Sequence, residues 1–228
     1  MIGCLVIHGF TGGPYEVNPL ADFLRKQTNW HIEVPTLPGH GRELDLKDVS
    51  YKEWITEAEY TLKKLKDQYE TIYLIGFSMG GMIAAYLAAK YNIEKLVLLA
   101  PSRKYLSFRQ IAHDIGEVVG DGVKGILNEN KLYTHYKNKL GMVPVKANIE
   151  FMKLVKYTKP YLGEVKVPVL IAQGQQDGMV PYKTVYDLDK EIHSEEKELV
   201  LFEQSKHLIC LGDDKDILNK MVYEFLQK

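Results

Sequence analysis

The chain has 228 residues, 46% hydrophobic and 26% charged, which fits one large α/β domain with apolar side chains enough for a sizeable core. Twenty-nine Lys and Arg against thirty Asp and Glu leave a net charge of −1, which excludes a global basic field for nucleic acid and an acidic tail. The longest apolar run, residues 82–89, is far short of the ~20 residues that a membrane span needs, so no stable membrane insertion is expected.

The opening residues carry no basic stretch and no small-residue cleavage site, so no signal peptide is expected there. Cys4 and Cys210 are too few for a disulfide framework or a thiolate zinc cluster, and they suit a reducing cytoplasm. A strand is predicted over 3–7, followed by the turn His8-Gly9-Phe10-Thr11-Gly12-Gly13-Pro14. That turn lacks both the G-x-G-x-x-G spacing and the G-K-[ST] ending of phosphate-binding loops. A second strand is predicted over 31–34, then the turn Gly39-His40-Gly41. Ser50 and Glu53 form a capping box that opens a helix with Trp54, Ala58, Leu62 and Leu65 on one face.

Further strands are predicted over 71–75, 95–99, 169–172 and 197–202, each a short run rich in Val, Ile and Leu. Such runs suit strands buried on both faces of a parallel sheet. Helical patterns cover 79–91, 181–192 and 214–227. The alternation predicts a doubly wound α/β sheet with right-handed crossovers. Residues 102–160 break it, with helical patterns, repeated glycines and no strand signal. A stretch of that length reads as an inserted helical subdomain between core segments 1–101 and 161–228. It carries eleven Lys and Arg against five Asp and Glu, read as a solvated lysine-rich surface or a lid that draws anionic groups.

The chemistry begins at Gly76-Phe77-Ser78-Met79-Gly80, a G-x-S-x-G pattern between a predicted strand and a predicted helix. A serine at so sharp a turn is strained, and the close approach of neighbouring chain requires glycine on either side. The helix that follows points free N–H groups and its positive end toward any oxyanion forming beside Ser78. A serine hydroxyl also needs a base. Of seven histidines, His207 follows the last strand on a loop at the carboxyl edge of the sheet, where ligand sites of α/β folds form. His8 and His40 read as histidines that organise turns near the site. Asp177, in Gly174-Gln175-Gln176-Asp177-Gly178, follows another strand and is the expected acid for His207. Asp213, Asp214 and Asp216 read better as charges at the start of the last helix. The order Ser, Asp, His is that of the α/β-hydrolases. The expected oxyanion hole is the backbone N–H of Met79 together with that of Phe10.

His8-Gly9-Phe10-Thr11-Gly12, Gly39-His40-Gly41, Gly76-Phe77-Ser78-Met79-Gly80-Gly81, Asp177 and Glu203-Gln204-Ser205-Lys206-His207 together resemble the small bacterial carboxylesterases and monoacylglycerol lipases of the α/β-hydrolase superfamily. The resemblance covers nearly the whole chain, the insert matching in placement rather than sequence. It implies an α/β-hydrolase fold, a helical cap over an acyl pocket, no cofactor or metal, and short- to medium-chain acyl esters as substrates. It implies Ser78, Asp177 and His207 as the triad, with Phe10 and Met79 at the oxyanion hole. Thioesterases and monoacylglycerol lipases share that triad, and a ligand-binding member without turnover is the alternative from another class. Two departures stand out. The chain opens on the strand that is third in the full fold, and Lys206 stands where many relatives have glycine. The aromatics Tyr105, Phe108, Tyr133, Tyr136, Phe151 and Tyr157 of the insert suggest an apolar ceiling.

Overall fold

The computed structural model describes residues 1–103 and 143–228. Six strands form one all-parallel sheet: β1 (Ile2–Ile7), β2 (His31–Glu33), β3 (Thr71–Phe77), β4 (Lys95–Leu99), β5 (Val169–Gly174) and β6 (Lys197–Phe202). Their spatial order is β2-β1-β3-β4-β5-β6. The described helices are α1 (Asn18–Gln27), α2 (Tyr51–Lys66), α3 (Met79–Lys90), α4 (Val145–Thr158), α5 (Thr184–Glu191) and α6 (Lys215–Gln227).

The apolar runs become strands because both faces of the sheet are covered. Cys4, Val6, Ile75, Val97, Leu99 and Leu170 point to one face and pack with Leu20 and Leu24 of α1 and with Leu218 and Val222 of α6. Leu5, Ile7, Leu74, Leu96, Leu98 and Ile171 point to the other, against Trp54 and Leu62 of α2 and Met82 and Ile83 of α3. The strand order reverses between β1 and β3, so the chain leaving β1 and the chain leaving β3 emerge side by side. In open α/β sheets this is where a crevice forms.

Most expected elements are present, with two instructive shifts. Helix α1 carries no capping signal, since Val17 stands at its N-cap and no side chain caps it. It forms because Leu20, Ala21 and Leu24 bury one face. The helix expected from 181 starts at Thr184 instead. Pro181 opens a turn whose carbonyl accepts from the Thr184 backbone and hydroxyl, both at 2.8 Å. The capping box at α2 is present: the Glu53 carboxylate accepts from the Ser50 backbone N–H and hydroxyl, each at 2.8 Å.

Of the expected insert 102–160, the described part is its first two residues together with 143–160. Ala147, Phe151 and Leu154 of α4 join the same hydrophobic cluster as α2 and α3. Both roots of this segment meet one carboxylate. Arg103 forms a two-pronged ion pair with Glu191 of α5, its Nε at 2.6 Å, and Lys159 Nζ lies 3.8 Å from the same side chain. Tyr105, Phe108, Tyr133 and Tyr136 lie outside the described residues. No helix among the described residues is long and apolar enough to cross a membrane.

Candidate active site

Ser78 joins β3 to α3 with φ 54° and ψ −116°, a left-handed conformation that costs a non-glycine residue on the order of 1–3 kcal/mol. The surroundings hold it there. Its N–H donates to Leu99 O at 2.8 Å, and its carbonyl accepts from Gly81 N–H at 3.0 Å and Ser102 N–H at 3.2 Å. A Cβ on Gly76 would lie 2.3 Å from Gly80 O, and one on Gly80 would lie 2.3 Å from Ile7 O. No side chain fits at either position, which is the physical content of the two motif glycines.

Two loops at the carboxyl edge bring the partners to the serine. His207 Nε2 lies 2.9 Å from Ser78 Oγ, and His207 Nδ1 lies 2.7 Å from Asp177 Oδ2. All three side chains are buried. Asp177 is tied on both oxygens. Oδ1 accepts from Met179 and Val180 N–H at 2.8 Å each, and Oδ2 accepts from Gln173 Nε2 at 2.8 Å. The loop before His207 is anchored by Ser205, whose hydroxyl donates to Asp214 Oδ2 at 2.6 Å. Asp214 is also the N-cap residue of α6, its carbonyl accepting from Leu218 N–H at 2.9 Å while its side chain is given to the histidine loop.

The electrostatics follow from these contacts. Burial opposes the charge of Asp177, yet the facing imidazole, its hydrogen bond and the two backbone donors hold the carboxyl below its ordinary 3.8. Burial likewise works against protonated His207, but the charge and hydrogen bond of Asp177, with the charge of Glu16, raise it above the ordinary 6.5. An ionised Asp177 only accepts, so the ring proton sits on Nδ1 and the neutral ring leaves Nε2 free to accept from Ser78.

The turn after β1 forms the other wall. The Gly9 N–H donates to Glu16 Oε2 at 2.9 Å, and a Cβ on Gly12 would lie 2.0 Å from that carboxyl group. Gly12 thus makes room for a buried acid. His8 Nε2 accepts from Leu37 N–H at 3.1 Å and its Nδ1 lies 2.9 Å from Gly9 O; His40 Nδ1 lies 2.9 Å from Pro38 O. The two rings tie the turn to residues 37–40, with centroids 5.2 Å apart. Phe10 stacks on Phe151 of α4 with centroids 4.9 Å apart and planes within 8°.

The family described as "Serine aminopeptidase, S33" matches residues 3–214. The chain belongs to this hydrolase family. Among its curated relatives is the thermostable monoacylglycerol lipase of Bacillus sp. (strain H-257), 27% identical over 237 residues, covering 100% of this chain and 91% of the relative. The carboxylesterase of Bacillus subtilis (strain 168) is 25% identical over 233 residues, covering 98% and 92%. Among solved structures, a metagenome-derived lipolytic enzyme from work on LipS and LipT superposes with TM-score 0.79 at 24% identity, over 99% of this chain and 93% of that one. The monoacylglycerol lipase of Paleococcus ferrophilus superposes with TM-score 0.73 at 18% identity, over 98% and 93%. The fold of this S33-family chain is therefore the α/β-hydrolase fold.

Of the expected site residues, the structure brings Ser78, His207 and Asp177 into one hydrogen-bonded chain, with Met79 directly behind the serine and Phe10 on the neighbouring turn. His31, on β2, lies apart from them at the exposed edge of the sheet, its Nε2 2.8 Å from Glu33 Oε1. Sequence reasoning missed three side chains, Glu16 beneath the turn, Gln173 on Asp177, and Ser102; Asp214 stands at the start of the last helix as expected, and its bond to Ser205 on the histidine loop is additional. The signal for Ser102 and Gln173 was available, since both stand at carboxyl ends of core strands where the site residues gather.

Proposed function

We propose that this S33-family hydrolase is a serine carboxylesterase acting on short- to medium-chain acyl esters through an acyl-enzyme intermediate. The observation that carries the reading is the Ser78 Oγ–His207 Nε2–Asp177 relay, at 2.9 and 2.7 Å, on a strained strand-to-helix turn. His207 Nε2 takes the Ser78 proton as Oγ attacks the ester carbon, then returns it to the leaving alcohol. Asp177 stays ionised and holds the imidazolium. Water, deprotonated by the same nitrogen, then releases the acid and restores Ser78.

The oxyanion takes the N–H groups of Met79 and Phe10. In support, the place of a Cβ on Gly80 lies 2.3 Å from Ile7 O and 2.5 Å from His8 O, so the first turn of α3 abuts the chain that leads into Phe10. The Glu16 bond to Gly9 N–H and the left-handed Thr11, φ 63°, fix that chain on either side of Phe10. Residues 102–160 serve as the cap that sets chain-length preference, with Phe151 against Phe10 as its contact to the site. The two buried, unpaired thiols Cys4 and Cys210 agree with a cytoplasmic enzyme. The decisive experiment is hydrolysis of an ester series from acetate to palmitate, with monoacylglycerols, a thioester and an aminoacyl amide alongside. Preference for short and medium esters supports the reading; faster cleavage of the amide or thioester replaces it.

A further inference from the structure

Ser102 stands just beyond β4, fully buried, with its Oγ 2.8 Å from Ser78 Oγ. Its approach to the nucleophile is built by the backbone. Ala100 holds φ 44°, a left-handed conformation costly for alanine, while its N–H donates to Ala172 O at 2.8 Å. The turn so formed brings the Ser102 N–H onto the Ser78 carbonyl at 3.2 Å and its hydroxyl onto the Ser78 hydroxyl. A strained backbone kept beside a reacting atom points to function.

The direction of the hydroxyl bond follows by elimination. Asp177 takes the Nδ1 proton of His207, so Nε2 is the acceptor, and the single Ser78 proton is committed to it. Ser78 Oγ then has only lone pairs to offer Ser102. Ser102 must be the donor.

We propose that Ser102 is a further catalytic residue, whose hydroxyl donates to Ser78 Oγ, fixes the rotamer facing His207 and supports the partial negative charge on Oγ in the transition states, while its bond to the acyl carbon is forming or breaking. The inference rests on Ser78 being the nucleophile. In acylation, the Oγ–H proton moves to Nε2 while an Oγ lone pair forms the bond to the acyl carbon. In deacylation, the bond from the acyl carbon to Oγ breaks, the electron pair returns to Oγ, and Nε2 gives the proton back. Ser102 keeps its own proton throughout. Its donation is strongest when Oγ is most negative and weakest in the acyl-enzyme, where Oγ is an ester oxygen. Both transition states gain over the states that precede them.

The test uses the purified enzyme, with second-order phosphonylation of Ser78 by a fluorophosphonate and burst kinetics on 4-nitrophenyl acetate. One hydrogen bond between neutral groups sets the scale, so Ser102→Ala is expected to lower the phosphonylation rate and kcat by about three- to tenfold, with KM and thermal midpoint unchanged. Ser102→Thr and Ser102→Val fill the same volume and differ by one hydroxyl. Threonine is expected to outpace valine by the same factor, which a purely steric role does not produce. Equal rates for the two, wild-type labelling of Ser102→Ala, or a raised KM at unchanged kcat each overturn the proposal. Persistent labelling of Ser78→Ala would instead overturn the nucleophile itself, so the two failures are distinguishable.

Discussion

The elbow and the acid–base loops reach the same point by opposite means. The Ser78 main chain is held by other main chain: its own N–H and carbonyl are bonded, and glycines stand where neighbouring carbonyls leave no room for a Cβ. Asp177 and His207 are held through side-chain hydrogen bonds: Gln173 and the Met179 and Val180 backbone amides on the Asp177 carboxylate, and the Ser205–Asp214 bond on the histidine loop. Changes at the elbow's glycines therefore damage the fold, whereas changes at the loops damage the chemistry and leave the fold intact.

The largest effect expected on this contrast is from Ser78→Ala. It lowers kcat by about a millionfold at an unchanged or slightly raised melting temperature, because the alanine removes only the reacting atom. His207→Ala matches it in stopped assays, since the two residues act as a unit. Asp177→Asn is expected to cost about 10⁴ in kcat, as the amide presents the wrong partner to Nδ1, while circular dichroism stays native. Near-normal turnover in that variant moves the acid role to another carboxylate.

Gly80→Ala probes the other side of the comparison. Its methyl meets two backbone carbonyls, so a stability loss at or above the upper end of about 1–3 kcal/mol is expected in urea titration, with activity lost in parallel. A stable, active Gly80→Ala enzyme would remove the steric basis of the elbow. The smallest effect is from Glu16→Gln. In the proposed mechanism His207 must be neutral to act, so kcat/KM is expected to rise with pH through a midpoint above 6.5. Loss of the Glu16 charge shifts that midpoint downward by a fraction of a pH unit. The plateau is little changed, since the amide oxygen still accepts from Gly9 N–H. An unmoved midpoint removes Glu16 from the electrostatics.

The same contrast explains what the sequence made legible. The elbow is local, so five consecutive residues announce it. His207 and Asp177 carry no local signature, and they were found because strand order places their loops at one edge. Glu16 was missed because its role exists only in three dimensions, and Gln173 and Ser102 because a place at a strand's carboxyl end does not by itself say which site residue the side chain meets. Glu16 reads as the polar residue of a short turn until Gly12 is seen to make space for it. Helix α1 was missed for want of a cap, its formation resting on packing against the sheet. Lys206, a departure from the family pattern, is exposed, so the histidine loop accommodates its side chain in solvent.

Glu191, which ties Arg103 and Lys159 at the two roots of the insert, gives the molecule a second response to acid. The hydrogen bond from Arg103, opposed by partial burial and aided by the charges of Arg103 and Lys159, keeps its carboxyl below the ordinary 4.5. The tie is at full strength above the ordinary carboxyl range and is lost only as pH falls through the lowered value. On the proposed mechanism His207 becomes protonated, and is lost as a base, much earlier, already above 6.5. Acidification therefore acts in two separate windows, silencing the chemistry first and loosening the junction later. Between them the enzyme is expected to be idle but still fastened, and neutralisation to return activity without that junction having to re-form.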